Sequence, residues 1–297
     1  MKRILSFIFC GTIFLIIYNM IDFNVAFINI RNANPIYLLY GISLSILWPI
    51  FGFLRWKFVL KAFGYKPLDN LILSSVLISY SANLMIPGKA GDLSKALTIS
   101  KTDKSQYIVP VIIERFGDVF TLTMISIIGS LYLGKLYFFI LSFFILLILI
   151  FIIFISPVVD KIKFLNKKLS RFHNLIRDIS NIRNVIKNKV KYILIALIFS
   201  SLNWIFASIQ IWIFFIAYSV NIELLDIIMI FPIVILFSLI PVTPGGIGLR
   251  ESLFLVMFSK FSSIEKCVIV SLNYYLFSIV FLGFVGLFYF YRYLNKS

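Results

Sequence analysis

Two cysteines and one histidine occur in 297 residues, and acidic side chains are scarce, 12 against 28 basic ones. Cys10 and Cys267 each fall inside an apolar run, which excludes a disulfide framework or a thiolate metal site and leaves them as small core hydrophobes. His173 sits in a basic stretch beside Asn174, and one histidine cannot build a zinc cluster. Long polar segments are missing too. The longest, about residues 157–191, falls far short of the roughly 100 residues that a nucleotide-hydrolysing domain needs. ATP-driven pumping by this chain alone is therefore not expected, and neither a metal nor any other cofactor is called for.

What remains is apolar: 61% hydrophobic and 18% aromatic residues with a mean hydropathy of +1.02, well beyond the usual share of a soluble domain. Runs that reach the roughly 20 residues needed to cross a hydrocarbon core recur along the chain. The composition predicts an all-α integral membrane protein, a polytopic helical bundle in which residues 1–297 form one transmembrane domain. The formal charge of +16 is concentrated in short connections between apolar runs, which fits the positive-inside bias of cytoplasmic loops. No nucleic-acid module is visible. Lys2 and Arg3 before a long apolar run resemble a signal peptide, but the run ends in Tyr18-Asn19-Met20-Ile21-Asp22 without a small-residue cleavage motif. An uncleaved first span over about 4–21 is expected.

Asp22 and Arg31 belong to the connection that follows. A second span from about Ile36 to Leu54 ends in Arg55, Trp56, Lys57, Lys61 and Lys66, which reads as an interfacial anchor on the cytoplasmic side. Leu68–Ile86 leads into Pro87-Gly88-Lys89-Ala90-Gly91 and then a helical-looking stretch from Asp92 to Ser100. Lys89, Lys95, Lys101 and Lys104 would face the wrong side after a full crossing, so a re-entrant hairpin from the cytoplasm is expected. Ile108–Leu133 spans, Lys135 marks a tight outer turn, and Leu136–Ile155 returns to the basic 157–191 loop. That loop is either a solvated connection or an amphipathic helix lying on anionic headgroups. Tyr192–Val220 crosses again. Ile227–Ile240, the cluster Pro244-Gly245-Gly246-Ile247-Gly248 and Leu249–Phe258 form a second interrupted segment. Cys267–Tyr291 is the last span, before Arg292 and Lys296. Six full spans plus two hairpins result, with both termini cytoplasmic in the cell (plasma) membrane; eight spans is the other count. The halves 67–134 and 224–291 repeat the order arm, break, arm, span in inverted orientation, as transporters do around a midplane site.

Both breaks read P-G-x-x-G, and Pro87, Gly88, Gly91, Pro244, Gly245, Gly246 and Gly248 supply the hairpin turns. Helix breaks at membrane depth are tolerated where they line a cavity or are buried in protein. Asp92, Lys95, Glu114, Arg115, Asp118, Arg250 and Glu251 all lie in or beside apolar segments, where a charge costs about 2.5–3.5 kcal/mol on insertion scales. They must pair or face a wet space. One reading locks the halves together, Glu114 or Asp118 with Arg250 and Arg115 with Glu251 or Asp92. The other leaves Lys89, Lys95, Arg115 and Arg250 to hold an anionic headgroup, with the acids orienting them.

Asn83 to Lys95 (N-L-M-I-P-G-K-A-G-D-L-S-K), Glu114-Arg115 with Asp118, and Pro244 to Glu251 (P-G-G-I-G-L-R-E) resemble, in order and spacing, three motifs of the lysylphosphatidylglycerol synthase transmembrane region, the flippase-like domain family. The resemblance covers nearly the whole chain. It implies the lipid-handling half of those synthases, with Asn83 added to the site. No soluble transferase domain accompanies it in this sequence, so synthase activity is not implied. Stand-alone relatives are also linked to glycan assembly. The expected partners are membrane lipids carrying an anionic or lipid-linked phosphate headgroup, with a homo-oligomer compatible. The expected function is flippase-like transport rather than catalysis; the competing expectations are an intramembrane headgroup transferase or phosphatase using Asp92 with Glu114 or Asp118, and an accessory subunit of an envelope pathway.

Overall fold

The computed structural model describes residues 19, 21–99, 104–159, 189–239 and 248–295. The expected first span, the 157–191 loop from residue 160 to 188, Pro244, Gly245, Gly246 and Lys296 lie outside the described residues.

Ten helices are present among the described residues: α1 (Phe23–Arg31), α2 (Pro35–Ala62), α3 (Asp69–Met85), α4 (Ser94–Ile99), α5 (Ile108–Tyr132), α6 (Leu136–Val159), α7 (Val190–Ala217), α8 (Leu224–Ser238), α9 (Leu249–Phe258) and α10 (Ile264–Asn295). No strand occurs among them. The polarity pattern is that of a membrane bundle. Buried positions include Arg55, Asp92, Lys95, Glu114, Asp118, Gln210, Arg250 and Glu251, whereas the exposed ones include Phe27, Leu39, Phe144, Phe151, Phe284 and Phe288. Polar groups face protein because hydrocarbon offers them no partner.

By length and composition α2 and α7, at 28 residues each, and α10, at 32, can cross a membrane. Helix α5, with 25 residues, rises about 37 Å, also enough, although it carries Glu114, Arg115 and Asp118. α4 has six residues and α9 ten, a rise of about 9 and 15 Å, less than the hydrocarbon thickness of about 30 Å.

Several boundaries follow from local chemistry. Asp22 caps α1, its Oδ1 accepting from the Asn24 and Val25 amides at 2.9 and 3.2 Å, so the stretch expected as a plain connection begins as a helix. Asn34 caps α2 and Pro35 takes its first position, where a missing N–H costs nothing. Inside α2, Pro49 cannot donate to the carbonyl four residues back, and the helix tightens to a 3-10 turn at Leu44–Ile46 just before it. The Gln210 amide of α7 packs against this turn, donating to the Gly41 carbonyl and to Ser45 Oγ, both at 2.8 Å. Its Oε1 accepts from Ser278 Oγ at 2.9 Å, within the π segment Leu276–Val280 of α10. The two irregular turns of the long helices thus share one buried amide. The outer turn expected at Lys135 is made by Gly134, at φ 63°.

Two hydrophobic cores form. One gathers α7 to α10 around Trp204, Phe231, Phe254 and Tyr274; the other gathers α2 to α5 around Trp56, Leu60, Ile72 and Val109. The halves are also interleaved, because α3 packs along the C-terminal part of α10 and α8 along α5. Each crossing is made possible by a glycine. A Cβ on Gly129 would stand 2.1 Å from the Met229 carbonyl oxygen, and one on Gly286 would stand 2.0 Å from that of Leu77. Gly129 follows Pro87 by the same interval as Gly286 follows Pro244.

These contacts are with backbone, which cannot swing aside. Gly129→Ala and Gly286→Ala are each expected to lower stability by about 1–3 kcal/mol, read as an earlier midpoint of heat denaturation in detergent. Gly117→Ala meets only the flexible tip of Leu197, at 3.2 Å, and should shift the midpoint much less.

Candidate functional site

Between the two cores lies a cavity of about 120 Å³, room for several waters or a small polar group. Its walls come from α2 (Trp48, Gly52, Arg55), α3 (Val76, Ser79, Tyr80, Asn83), the first break with α4 (Lys89, Asp92, Lys95), α5 (Arg115, Asp118), α7 (Asn203, Trp204), the end of α8, Arg250 of α9 and Tyr274 and Ser278 of α10. Seven of the nine binding residues expected from sequence line it. Glu114 and Glu251 stand directly behind, each bonded to a lining cation.

The first break reaches the cavity because the chain folds back on itself. After α3 the backbone enters a 3-10 turn over Pro87–Leu93 and returns so closely that a Cβ on Gly91 would lie 2.4 Å from the Ala82 carbonyl carbon. Only glycine permits that approach. Lys89 takes a left-handed backbone, φ 56°, uncommon for a residue with a side chain. In the second break Gly248, at φ 87°, opens α9, and its amide donates to Glu251 Oε2 at 2.7 Å.

Six charges interlock. Lys95 Nζ reaches both Glu114 oxygens, at 2.9 and 2.8 Å, and lies 3.6 Å from Asp92 Oδ1. Arg115 Nε is 2.6 Å from Asp92 Oδ2 and its Nη1 donates to Asp118 Oδ2 at 2.8 Å. Arg55 donates through Nε to Glu114 at 2.9 Å and through Nη1 to Asp118 Oδ1. Ser200 Oγ donates to the same Asp118 oxygen at 2.9 Å, and Asn83 Nδ2 to Asp92 Oδ1 at 3.1 Å. Arg115 is the most open member, its side chain 24% exposed. Arg250, also on the lining, pairs with its neighbour Glu251 and lies over the Tyr275 ring, 4.6 Å from the centroid. Cross-half pairing of Glu114 or Asp118 with Arg250 is thus absent, whereas the expected Arg115–Asp92 pair is made.

Arg55 is the partner that sequence reasoning missed. With Trp56 it was expected at the membrane surface; instead Trp56 is fully buried and donates to Ser75 Oγ at 3.1 Å. The reason is that α2 continues to Ala62 and turns one face inward: Gly52, Arg55, Trp56, Val59 and Leu60 are partly or wholly buried at helical spacing. Asn203 and Trp204 were missed as well, and lie on a comparable stripe of α7 with Ser200, Ala207 and Ser208.

Donors on the cavity wall remain without acceptors. Trp204 Nε1 and Arg250 Nε are buried with no hydrogen-bond partner. Lys89 makes no ion pair with any described carboxylate; its ammonium sits 4.9 Å from the Trp204 ring centroid. Asn83 Oδ1 is also unpaired. A buried donor without an acceptor is costly, so the wall suits a group rich in acceptors.

The model of the lysylphosphatidylglycerol synthase TM region matches residues 4–286. The chain is also similar to two archaeal proteins. A UPF0104 membrane protein of Methanocaldococcus jannaschii is 26% identical over 257 residues, 78% of this chain and 76% of the relative. A UPF0104 membrane protein of Methanothermobacter thermautotrophicus is 23% identical over 261 residues, 77% of each.

Proposed function

We propose, from the premise that the chain belongs to the lysylphosphatidylglycerol synthase TM-region family, that it is a flippase-like lipid transporter of the cell membrane. The headgroup, an anionic phospholipid's or a lipid-linked phosphate, occupies the cavity between the halves while the tail stays in the bilayer. The observation that carries this reading is the set of unanswered donors, Lys89 Nζ, Trp204 Nε1 and Arg250 Nε, on residues that line one cavity. Arginine and lysine there can meet a phosphate with charge-assisted hydrogen bonds, and the indole adds a donor without charge.

The two interrupted segments, α3 to α4 and α8 to α9, are read as re-entrant hairpins of an inverted repeat. The short rise of α4 and α9 and the matched spacing of Gly129 and Gly286 after their prolines support this. Both termini are read as cytoplasmic, from the basic residues beside the first and last apolar runs. Asp92, Glu114 and Asp118 hold Arg55, Lys95 and Arg115 in position. With their oxygens engaged by those cations, they favour a positioning role over a hydrolytic or transferase centre.

The reading is tested by reconstituting the protein in liposomes with labelled phospholipids or polyprenyl phosphates and following leaflet exchange. The paired change Arg250→Ala, Glu251→Gln leaves no buried carboxylate without its cation, keeps an acceptor for the Gly248 amide, and is expected to slow exchange about tenfold or more, the loss of one charge-assisted contact. Equal rates for this pair of changes and the wild type would overturn the site assignment.

A further inference from the structure

The charges around the cavity do not cancel, and the remainder is a single positive one. Among the described residues, Arg55, Lys95 and Arg115 interlock with Asp92, Glu114 and Asp118, and Arg250 pairs with Glu251. Residues 240–247, which complete the second break in sequence, bring no ionisable side chain. Lys89 is left over.

Its position adds a second observation. A left-handed backbone holds Lys89 inside the first break. Its ammonium lies over the Trp204 ring, and the same cavity is lined by the residues with the two orphaned donors, only 2% and 3% exposed. An uncompensated charge in a low-dielectric cavity is unfavourable, whichever its sign.

Resting on the transport reading above, we propose that the site is matched to a headgroup carrying one negative charge, a phosphodiester monoanion, and that Lys89 sets that match. A phosphodiester neutralises the cavity and presents unesterified oxygens to Lys89 Nζ, Trp204 Nε1 and Arg250 Nε. A phosphomonoester, whose second ionisation lies near pH 6, or a diphosphate brings an excess negative charge among Asp92, Asp118 and Glu251. A zwitterionic headgroup carries the same diester but adds an ammonium, which restores the excess positive charge.

The test uses the whole protein in zwitterionic phosphatidylcholine liposomes at neutral pH, with labelled phosphatidylglycerol, phosphatidate, polyprenyl diphosphate and phosphatidylcholine as probes. The wild type is expected to move the diester at least about tenfold faster than the diphosphate, the scale of one mismatched charge at membrane depth. Lys89→Gln, which leaves the cavity neutral, should move the preference from the diester towards zwitterionic phosphatidylcholine, and Glu251→Gln, which frees a second positive charge, should shift it towards the diphosphate. Equal rates for diester and diphosphate in the wild type, or an unchanged ratio of diester to phosphatidylcholine in Lys89→Gln, would overturn the match while leaving transport standing. Movement of none of the anionic probes would remove the transport reading and this inference with it. Lys89→Gly, which suits the left-handed backbone, separates loss of charge from loss of fold.

Discussion

Arg55→Met is expected to destabilise the protein by about 3–5 kcal/mol, enough to prevent recovery of folded material from the membrane. Arg55 is buried, and its guanidinium supplies Glu114 through one nitrogen and Asp118 through another. Methionine fills much of the volume but leaves both carboxylates short of a cation. The cost then comes from the excess negative charge left behind rather than from the lost attraction, so removing one carboxylate should restore stability. The double change Arg55→Met, Asp118→Asn, which leaves Lys95 and Arg115 against Asp92 and Glu114, is expected to recover most of the loss, measured as the monodisperse fraction surviving a heating series in detergent. Arg55→Lys should fall between, because one ammonium cannot reproduce the two-armed geometry. Arg55→Met with wild-type heat stability would show that Lys95, Arg115 and Ser200 suffice to hold the acids.

Lys89→Gly separates binding from folding in the opposite direction. The left-handed conformation costs a residue with a Cβ about 1–2 kcal/mol, and glycine removes that strain while raising the entropy of the unfolded chain by a comparable amount. The ammonium has no carboxylate partner among the described residues to lose. Stability is therefore expected to stay within about 1 kcal/mol of the wild type, whereas binding of an anionic lipid falls about tenfold or more, since a charge-assisted contact is worth about 1.5–3 kcal/mol. Lipid retained through detergent purification, counted by native mass spectrometry, reads the second quantity, and the heating series reads the first. A protein that folds and keeps its lipid would remove Lys89 from the site.

The interrupted segments were legible because helix breakers next to charge are rare inside apolar runs, and Asp92, Lys95, Arg115, Asp118 and Arg250 line the cavity. Arg55 was not legible because Lys57 and Lys61 follow it at the end of a run, a composition shared by every cytoplasmic anchor. Only the spacing of Gly52, Arg55, Trp56, Val59 and Leu60 carried the signal, one helical face continued past the apparent end of the span. Trp204 and Asn203 were hidden for a related reason: a span with Ser200, Asn203 and Ser208 is still apolar on average, and hydropathy does not report which face is polar. The pairing of Arg250 depended on three-dimensional distance. Its nearest acid, Glu251, adjoins it in sequence and is fixed by the Gly248 amide, a local device that outcompetes Glu114 and Asp118, already held by Arg55, Lys95 and Arg115.

The claim on which the rest depends is that the cavity between the two cores holds an anionic headgroup. A structure of the protein in lipid nanodiscs containing phosphatidylglycerol, resolved well enough to show a phosphate, tests it most directly. The expected result is phosphate density within hydrogen-bonding distance of Lys89 Nζ, Trp204 Nε1 and Arg250 Nε, with the hydrocarbon tail leaving towards the bilayer. A cavity filled only by water, with every phosphate at the outer surface of the helices, would contradict it.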